Sequence, residues 1–253
     1  MKKIIKLLIP IAFILTNIYS QREFYELRKY ELKWGSSQKI LNDYLENSFL
    51  PTLNRYQVKN IGVFTQIGNN LPKNIYVLIP YESFEQYNQI YFKLKNDEIY
   101  IESSSKLNSV ENNKMPYTRY SVSHFYAFKD FPKIRKPGKG MSIFEIRNYE
   151  SPNDEAYLKK VDMFNNGEID IFDEVGLNSV FYGEQISGEK LPLLTYMLVY
   201  DSMDSRSKSW TEFIKHPKWI EMKSMKKYMT ISDESLVSNI TSIFLKPLKY
   251  SQL

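Results

Sequence analysis

Alternating apolar and polar residues divide this chain into short strand-like segments with helix-like segments between them. Residues 24–34 alternate and are rich in aromatic side chains, which predicts a strand. Apolar residues at helical spacing follow, so we expect a helix that is capped within residues 35–37. Pro51 either kinks this helix or starts a second short one. Runs at residues 59–67 and 75–80, with turn residues between them, are typical of a hairpin.

A second helix is expected after this hairpin, because Ser83 is a good N-cap and apolar residues follow it at helical spacing. A strand over residues 117–128 then completes a β-α-β-β-α-β unit of the ferredoxin-like type. Alternate residues of that strand share one face, namely Tyr120, Val122, His124 and Tyr126.

The second half of the chain repeats this order of elements. The pattern predicts a strand at residues 142–149, a helix at 153–175, a hairpin of 179–184 and 193–200, a helix from Met203, and a strand at 241–246. Agreement over six elements supports the assignment better than any one of them could.

One short motif occurs twice. The sequence YELRKYE at residues 25–31 returns as FEIRNYE at residues 144–150, an offset of 119 positions. A period this long indicates tandem domains, because solenoid repeats are much shorter. We therefore expect an N-terminal domain at 21–129, a linker at 130–141 and a C-terminal domain at 142–253.

A ferredoxin-like sheet is covered by helices on one face only, so an apolar open face must find a second sheet. A tandem repeat supplies that sheet within the same chain. The predicted fold class is α+β, with two tandem ferredoxin-like domains packed sheet to sheet around a barrel-like core. A small ligand would bind in the barrel or in a cleft between sheet and helices.

The repeated strand supplies the candidate ligand-binding residues, because its glutamate, arginine and tyrosine share one face. At least one such triad should be largely buried, where unpaired charges would cost several kcal/mol, so glutamate and arginine should pair. One interpretation is a structural network that fixes the two halves. The other is a polar patch in which arginine grips an anionic or carbonyl group and tyrosine donates a hydrogen bond. The residues concerned are Glu26, Arg28, Tyr30, Glu145, Arg147 and Tyr149.

The first twenty residues have the layout of a secretory signal peptide: lysines, then a mainly apolar stretch, then the sequence TNIYS that ends at Ser20. We expect cleavage near Ser20 and export to the periplasm or the extracellular space. The uninterrupted apolar part, residues 7–15, is shorter than the roughly 20 residues of a membrane-spanning helix. An uncleaved anchor is therefore the alternative, and no stable membrane insertion is expected after cleavage.

The composition of the chain limits the kinds of partner and site that it can have. The net charge is +5, and loss of the three lysines of residues 1–20 leaves about +2. Basic and acidic residues alternate, and the basic run at 129–139 is interleaved with proline and glycine, so we expect a solvated linker and no nucleic-acid partner. The chain has no cysteine, which excludes disulfides, thiol nucleophiles and thiolate metal sites.

The two histidines, His124 and His216, lack metal-ligand spacing, and Pro217 favours a helix end at His216 over ligation. We expect no metal and no cofactor. Neither a nucleophile elbow nor a phosphate-binding glycine loop is present. Gly62 and Gly183, which lie within strands, indicate a bulge or close backbone approach, as the geometry of a barrel requires.

Aromatic residues are numerous, with 20 Tyr, 15 Phe and 3 Trp, and core filling is the default interpretation of any one of them. Trp210 and Trp219 are the tryptophans expected to border a pocket between helix and sheet.

The ordered motifs of both halves resemble those of the NIPSNAP family. In the first half they are residues 25–30, Pro51, Gly62–Phe64 and Tyr76–Ile79. In the second half, which resembles the exported bacterial members more closely, they are residues 144–149, Lys160, Val161, Met163, Phe164, Glu168, 176–178, 180–184, 191–197, Trp210, Pro217, Trp219 and 250–252.

This resemblance implies a tandem pair of dimeric α/β-barrel domains, a superfamily that includes haem-degrading and cofactor-free monooxygenases, chlorite dismutases and muconolactone isomerases. It implies no particular reaction. We expect an exported binding protein for a small apolar or aromatic molecule, built as an intramolecular pseudo-dimer, with pairing between chains as the other arrangement. The alternatives are a cofactor-free monooxygenase or isomerase that uses Tyr or Glu for proton transfer, and an interaction scaffold with a filled barrel.

Overall fold

A computed structural model describes residues 21–69, 71–229 and 235–253 of the chain. The expected signal peptide, residues 1–20, lies outside this part. Within it, no helix is both long and apolar enough to cross a membrane.

Each half has the predicted order of elements. The N-terminal half consists of β1 (Phe24–Leu32), α1 (Lys39–Tyr44), a π-helical turn (Leu45–Phe49), α2 (Leu50–Arg55), β2 (Gly62–Gln66), β3 (Asn74–Tyr81), α3 (Phe84–Lys93), α4 (Glu98–Asn108) and β4 (Tyr117–Ala127). The C-terminal half consists of β5 (Ile143–Glu150), α5 (Asp154–Met163), a second π-helical turn (Phe164–Glu168), α6 (Ile169–Glu174), β6 (Asn178–Ser187), β7 (Leu193–Tyr200), α7 (Met203–Lys215), α8 (Pro217–Ser224) and β8 (Asn239–Pro247).

The eight strands close into one antiparallel barrel in the order β1-β3-β2-β8-β5-β7-β6-β4. Each half contributes four consecutive strands with its first strand in a central position, as a ferredoxin-like sheet requires. The halves join where β2 pairs with β8 and where β4 pairs with β6. The predicted fold class is therefore confirmed, and the two halves pair within one chain.

Three hydrophobic cores follow from this arrangement. One lies inside the barrel, and the other two lie between each half-sheet and its own helices. Every residue of β7 is buried, since helices cover one of its faces and the barrel interior covers the other. Large side chains fill much of the barrel interior: Tyr25, Phe64, Phe125, Phe144, Phe181 and Leu245.

Gly183 shows why glycine lies within a barrel strand. A Cβ at this position would be 2.8 Å from the Cβ of Phe125, and a Cβ at Gly62 would be 2.5 Å from the ring of Phe64. Aromatic side chains, not backbone atoms, therefore leave no room for a Cβ at these two positions in the barrel.

Some boundaries differ from the prediction. The first helix begins after Gln38 without a side-chain cap, because the Ser37 hydroxyl accepts a bond from the Lys39 amide at the end of the preceding turn. The second helical segment of each half is two helices, broken at Asp97 and at His216. The expected linker is not wholly exposed, because its residue Phe131 is buried in the C-terminal helix–sheet core.

Candidate functional site

Both repeated triads face the helices rather than the barrel interior. The glutamates are nearly inaccessible, with Glu26 2% and Glu145 0% exposed. Each pairs with the arginine two residues later: Arg28 donates to Glu26, and Arg147 donates to Glu145 at 2.9 Å. The pairing predicted for a buried strand is therefore present in both halves.

Glu145 is the centre of a saturated polar network. The Arg206 guanidinium donates to both of its carboxylate oxygens at 2.7 Å, and the hydroxyls of Ser242 and Tyr200 donate at 2.5 and 3.0 Å. Burial alone would raise the pKa of Glu145, but the hydrogen bonds from Arg206, Ser242 and Arg147 lower it below its usual value. Arg206 comes from α7, and no local sequence pattern identifies this partner 61 residues away.

The network continues from Arg147 toward Tyr149. Arg147 Nε donates to the Tyr196 hydroxyl at 2.8 Å, and that hydroxyl donates to the Tyr149 hydroxyl at 2.9 Å. The Arg147 guanidinium also lies 4.4 Å from the centre of the Trp210 ring. In the described part of the chain, no acceptor receives the Tyr149 O–H proton.

The N-terminal triad has a smaller network. Glu26 accepts from Arg28 and, at 3.1 Å, from the Tyr81 hydroxyl. The Arg28 guanidinium lies 4.5 Å from the centre of the Phe49 ring. The position 119 residues before Arg206 is Tyr87, so no second arginine comes from that helix.

A cavity of about 480 Å³ lies between the sheet and the helices of the C-terminal half. Of the six triad residues, Tyr149 lines it. Trp219 also lines it, as expected of a tryptophan bordering a pocket, whereas Trp210 packs on Arg147. The remaining wall is mostly aromatic and apolar: Met163, Phe213, Tyr228, Met229, Leu236, Val237 and Ile240, with Lys160, Glu168, Lys223 and Ser235.

Lys160 and Glu168 form a buried ion pair in the cavity wall. Lys160 Nζ is 2.6 Å from Glu168 Oε2, and the residues are 4% and 2% exposed. Three aromatic rings surround the ammonium, with their centres at 4.6 Å for Phe164, 5.2 Å for Trp219 and 5.7 Å for Tyr149. Burial raises the pKa of Glu168, and the nearby Lys160 offsets only part of that rise.

A break in the helix brings this pair together. In a straight helix, residues eight apart are separated by about 12 Å along the axis. Here the π-helical turn ends at Glu168, and Gly167 has a φ of 132°, which other residues rarely adopt. A Cβ at Gly167 would also be 2.9 Å from Met222 Cε.

The N-terminal half fills the equivalent place with apolar side chains. The two π-helical turns begin at Leu45 and Phe164, the same offset of 119 residues as the strand motif. At this offset Leu41 replaces Lys160 and Phe49 replaces Glu168, and both are fully buried. Of these two equivalent places, only the one in the C-terminal half therefore holds a buried ion pair.

Neither histidine lines the cavity. His124 Nδ1 is 2.7 Å from the Ser187 hydroxyl, and burial lowers its pKa. His216 lies between α7 and α8, with its Nε2 3.2 Å from Glu174. Among the residues that the structure describes, no cluster of three or more His, Cys, Asp or Glu is arranged to hold a metal ion.

In a comparison with protein families, the NIPSNAP family model matches residues 144–252. The chain carries a NIPSNAP domain. The cavity, the buried ion pair and the Glu145 network all lie within this domain or at its edge. None of the curated proteins compared with the chain matches it.

Solved structures similar to the chain include a proposed monooxygenase from Lactobacillus acidophilus NCFM, with a TM-score of 0.58 and 10% identity, covering 89% of this chain and 94% of that one. A proposed monooxygenase from Fusobacterium nucleatum has a TM-score of 0.58 and 11% identity, covering 91% and 94%. A NIPSNAP family protein of unknown function from Agrobacterium tumefaciens is 20% identical over 45% of this chain and 95% of its own, with a TM-score of 0.37. At these identities, the first two support the barrel fold that encloses the NIPSNAP domain, and no activity.

Proposed function

We propose that the NIPSNAP domain binds a small apolar or aromatic molecule in its helix–sheet cavity. The observation that carries this proposal is the difference between the halves. Leu41 and Phe49 fill the N-terminal place, whereas the C-terminal half leaves about 480 Å³ beside Tyr149 and Trp219. Protein cores are normally close-packed, so a repeat that keeps the fold but leaves space in one core is expected when a bound molecule fills that space.

The size and lining of the cavity suit such a ligand. Ligand sites commonly occupy about 300–1,000 Å³ and combine an apolar wall with a few polar groups. Here Tyr149, Phe213, Trp219 and Tyr228 supply ring faces and edges for stacking. The ion pair of Lys160 and Glu168 supplies buried polar groups of the wall.

A second cavity, of about 390 Å³, lies inside the barrel where β1 and β5 end. Several of its polar groups pair with one another. The Thr195 hydroxyl donates to the Asn148 side chain at 2.8 Å, the Asn148 amide donates to Thr241 at 3.1 Å, and Gln185 donates to the Glu189 carbonyl at 2.9 Å. These pairs lie within the wall of the barrel cavity, and we assign the ligand to the helix–sheet cavity because of the contrast between the two halves.

Two isoleucines of β8 give a matched test, because they lie on opposite faces of one strand. Ile240 lines the helix–sheet cavity, and Ile243 lines the barrel cavity. Fluorescence titration with the neutral apolar probe N-phenyl-1-naphthylamine would be carried out on the natural chain, Ile240→Trp and Ile243→Trp. We expect Ile240→Trp to weaken binding about tenfold or more, since the indole occupies the site, and Ile243→Trp to change it less than about twofold.

The opposite ranking of the two variants would move the site into the barrel. Saturable binding that neither tryptophan affects would contradict both locations, and no saturable binding would contradict the proposal itself. Circular dichroism of each variant checks that the fold is retained.

Export is part of the proposed function, supported by the signal-like layout of residues 1–20. Expression of the whole chain in a bacterium, followed by fractionation and N-terminal sequencing, should give a protein outside the cytoplasm that begins at Gln21. A cytoplasmic protein that retains Met1 would contradict this.

A further inference from the structure

We infer that the ligand of the helix–sheet cavity is a carboxylic acid with an apolar or aromatic body, whose carboxylate accepts hydrogen bonds from Lys160 and Tyr149. This inference rests on the proposed function and names the class of ligand. Among the described residues, two buried donors of the cavity wall, the Lys160 ammonium and the Tyr149 hydroxyl, have more protons than acceptors, which points to this chemistry.

The Lys160 ammonium has more donors than acceptors. An ammonium group carries three N–H donors, and Glu168 is the acceptor that it contacts among the described residues. Its other near neighbours are the rings of Tyr149, Phe164 and Trp219, which attract the cation but offer no oxygen lone pair in the described contacts. At 4% exposure, bulk water does not readily supply the missing acceptors.

Tyr149 supplies the second donor. Its hydroxyl oxygen accepts from the Tyr196 hydroxyl at 2.9 Å and from Arg147 at 3.4 Å, so the groups behind it use its lone pairs. Its own O–H proton has no acceptor in the described part of the chain, and the residue lines the cavity. The chain of bonds from Arg147 through Tyr196 therefore orients Tyr149 as a donor.

The charges of the wall distinguish an anion from a cation. Lys160 already occupies the ring of aromatic side chains that would otherwise suit a cationic ligand, so a second cation would be repelled. The charged side chains that line the described wall are Lys160, Lys223 and Glu168. An ammonium-to-carboxylate bond from Lys160 is stronger than a bond to a neutral oxygen.

A matched pair of probes tests the ligand class. Isothermal titration calorimetry at pH 7 would compare 2-naphthoate with 2-naphthylmethanol, which share the ring system and differ in the charge of the oxygen group. The natural chain should bind the acid about ten- to a hundredfold more tightly than the alcohol, as expected for one or two charge-assisted hydrogen bonds.

Three variants assign this preference to its residues. The double variant Lys160→Met/Glu168→Gln removes both charges together, so that neither remains buried alone, and should lower the acid-to-alcohol ratio about three- to tenfold, because the Tyr149 hydroxyl still donates. Tyr149→Phe should lower the ratio about three- to tenfold. Tyr228→Phe is the control, because Tyr228 lines the same cavity but its hydroxyl already donates to Asp162 at 3.0 Å. The control should leave the ratio unchanged.

Each outcome separates the inference from the function on which it rests. Equal binding of the two probes by the natural chain would contradict the carboxylate and leave the apolar site standing. An acid-to-alcohol ratio in the double variant that equals the ratio of the natural chain would overturn the role of Lys160. Failure of both naphthalene probes, and of decanoate and decanol in the same assay, would contradict the proposed function and the ligand class with it.

Discussion

Replacement of Lys160 by methionine keeps the length of the side chain but removes the positive charge that faces Glu168. The Glu168 carboxyl is 2% exposed and pairs with Lys160 at 2.6 Å, so its charge would then be buried without a partner. Removal of one member of a buried pair typically costs about 3–5 kcal/mol. We therefore expect Lys160→Met to lower the free energy of unfolding markedly at neutral pH.

Protonation of Glu168 limits the size of this loss. Holding the carboxyl neutral at pH 7 against an unfolded pKa of about 4.3 costs about 3.7 kcal/mol, at 1.36 kcal/mol per pH unit. At pH 5 the same cost is about 1 kcal/mol. The folded pKa is the higher one, so the folded variant holds the proton more tightly than the unfolded chain, and its stability falls as the pH rises above about 4.3.

Urea denaturation followed by tryptophan fluorescence at pH 5 and pH 7 measures this difference. Lys160→Met/Glu168→Gln should recover most of the loss, because no buried charge remains. Lys218→Met is the control: it breaks an exposed pair with Glu174, which should hardly change the free energy of unfolding. A loss for Lys160→Met that is the same at both pH values would show that packing, not charge, sets its cost, and would refute this reasoning.

Two further matched comparisons follow from the fold. Arg206→Ala should cost about 2–4 kcal/mol, since it leaves a fully buried carboxylate short of two bonds, and Arg135→Ala, which breaks an exposed two-bond pair, should cost under about 1 kcal/mol. The pKa of Glu145, the partner of Arg206, is lowered in the folded chain, so the stability that Glu145 contributes should be lost as the pH falls below about 4.5. Arg206→Ala should therefore lose less stability on acidification than the natural chain. Gly183→Ala should cost about 1–3 kcal/mol through its clash inside the barrel, whereas Gly138→Ala, with open space around it, should be nearly neutral. Urea denaturation of each pair checks these values, and equal losses within a pair would contradict the burial or the close approach on which the comparison depends.

Periodicity predicted the strands because most of them bury at least one face, and the repeated motif around Arg28 and Arg147 predicted the doubled fold. The same method missed the break between α3 and α4. Residues 94–97 contain neither glycine nor proline, and the serines of α4 weaken its apolar stripe. The break at His216 was easier to place, since proline follows it directly.

The candidate site was less predictable from sequence, because it depends on tertiary geometry. Lys160 and Glu168 are eight residues apart, a spacing that brings no two side chains together in a regular helix. The signal that could have identified them is the repeat itself. Aligned at the offset of 119 residues, Leu41 and Phe49 of the first half become a lysine and a glutamate in the second, and a charged pair in place of two core residues marks a specialised position.

The most direct test of the central claim uses the methionines as reporters. Met163 lines the helix–sheet cavity, and Met197 is fully buried within the barrel. Methyl NMR of ¹³C-methyl-methionine protein would be recorded during titration with 2-naphthylmethanol, with resonances assigned by Met→Leu substitution. We predict that the Met163 methyl shifts strongly through the ring current of the probe while the Met197 methyl stays in place. A shift of Met197 with Met163 unchanged would contradict the account and place the ligand inside the barrel.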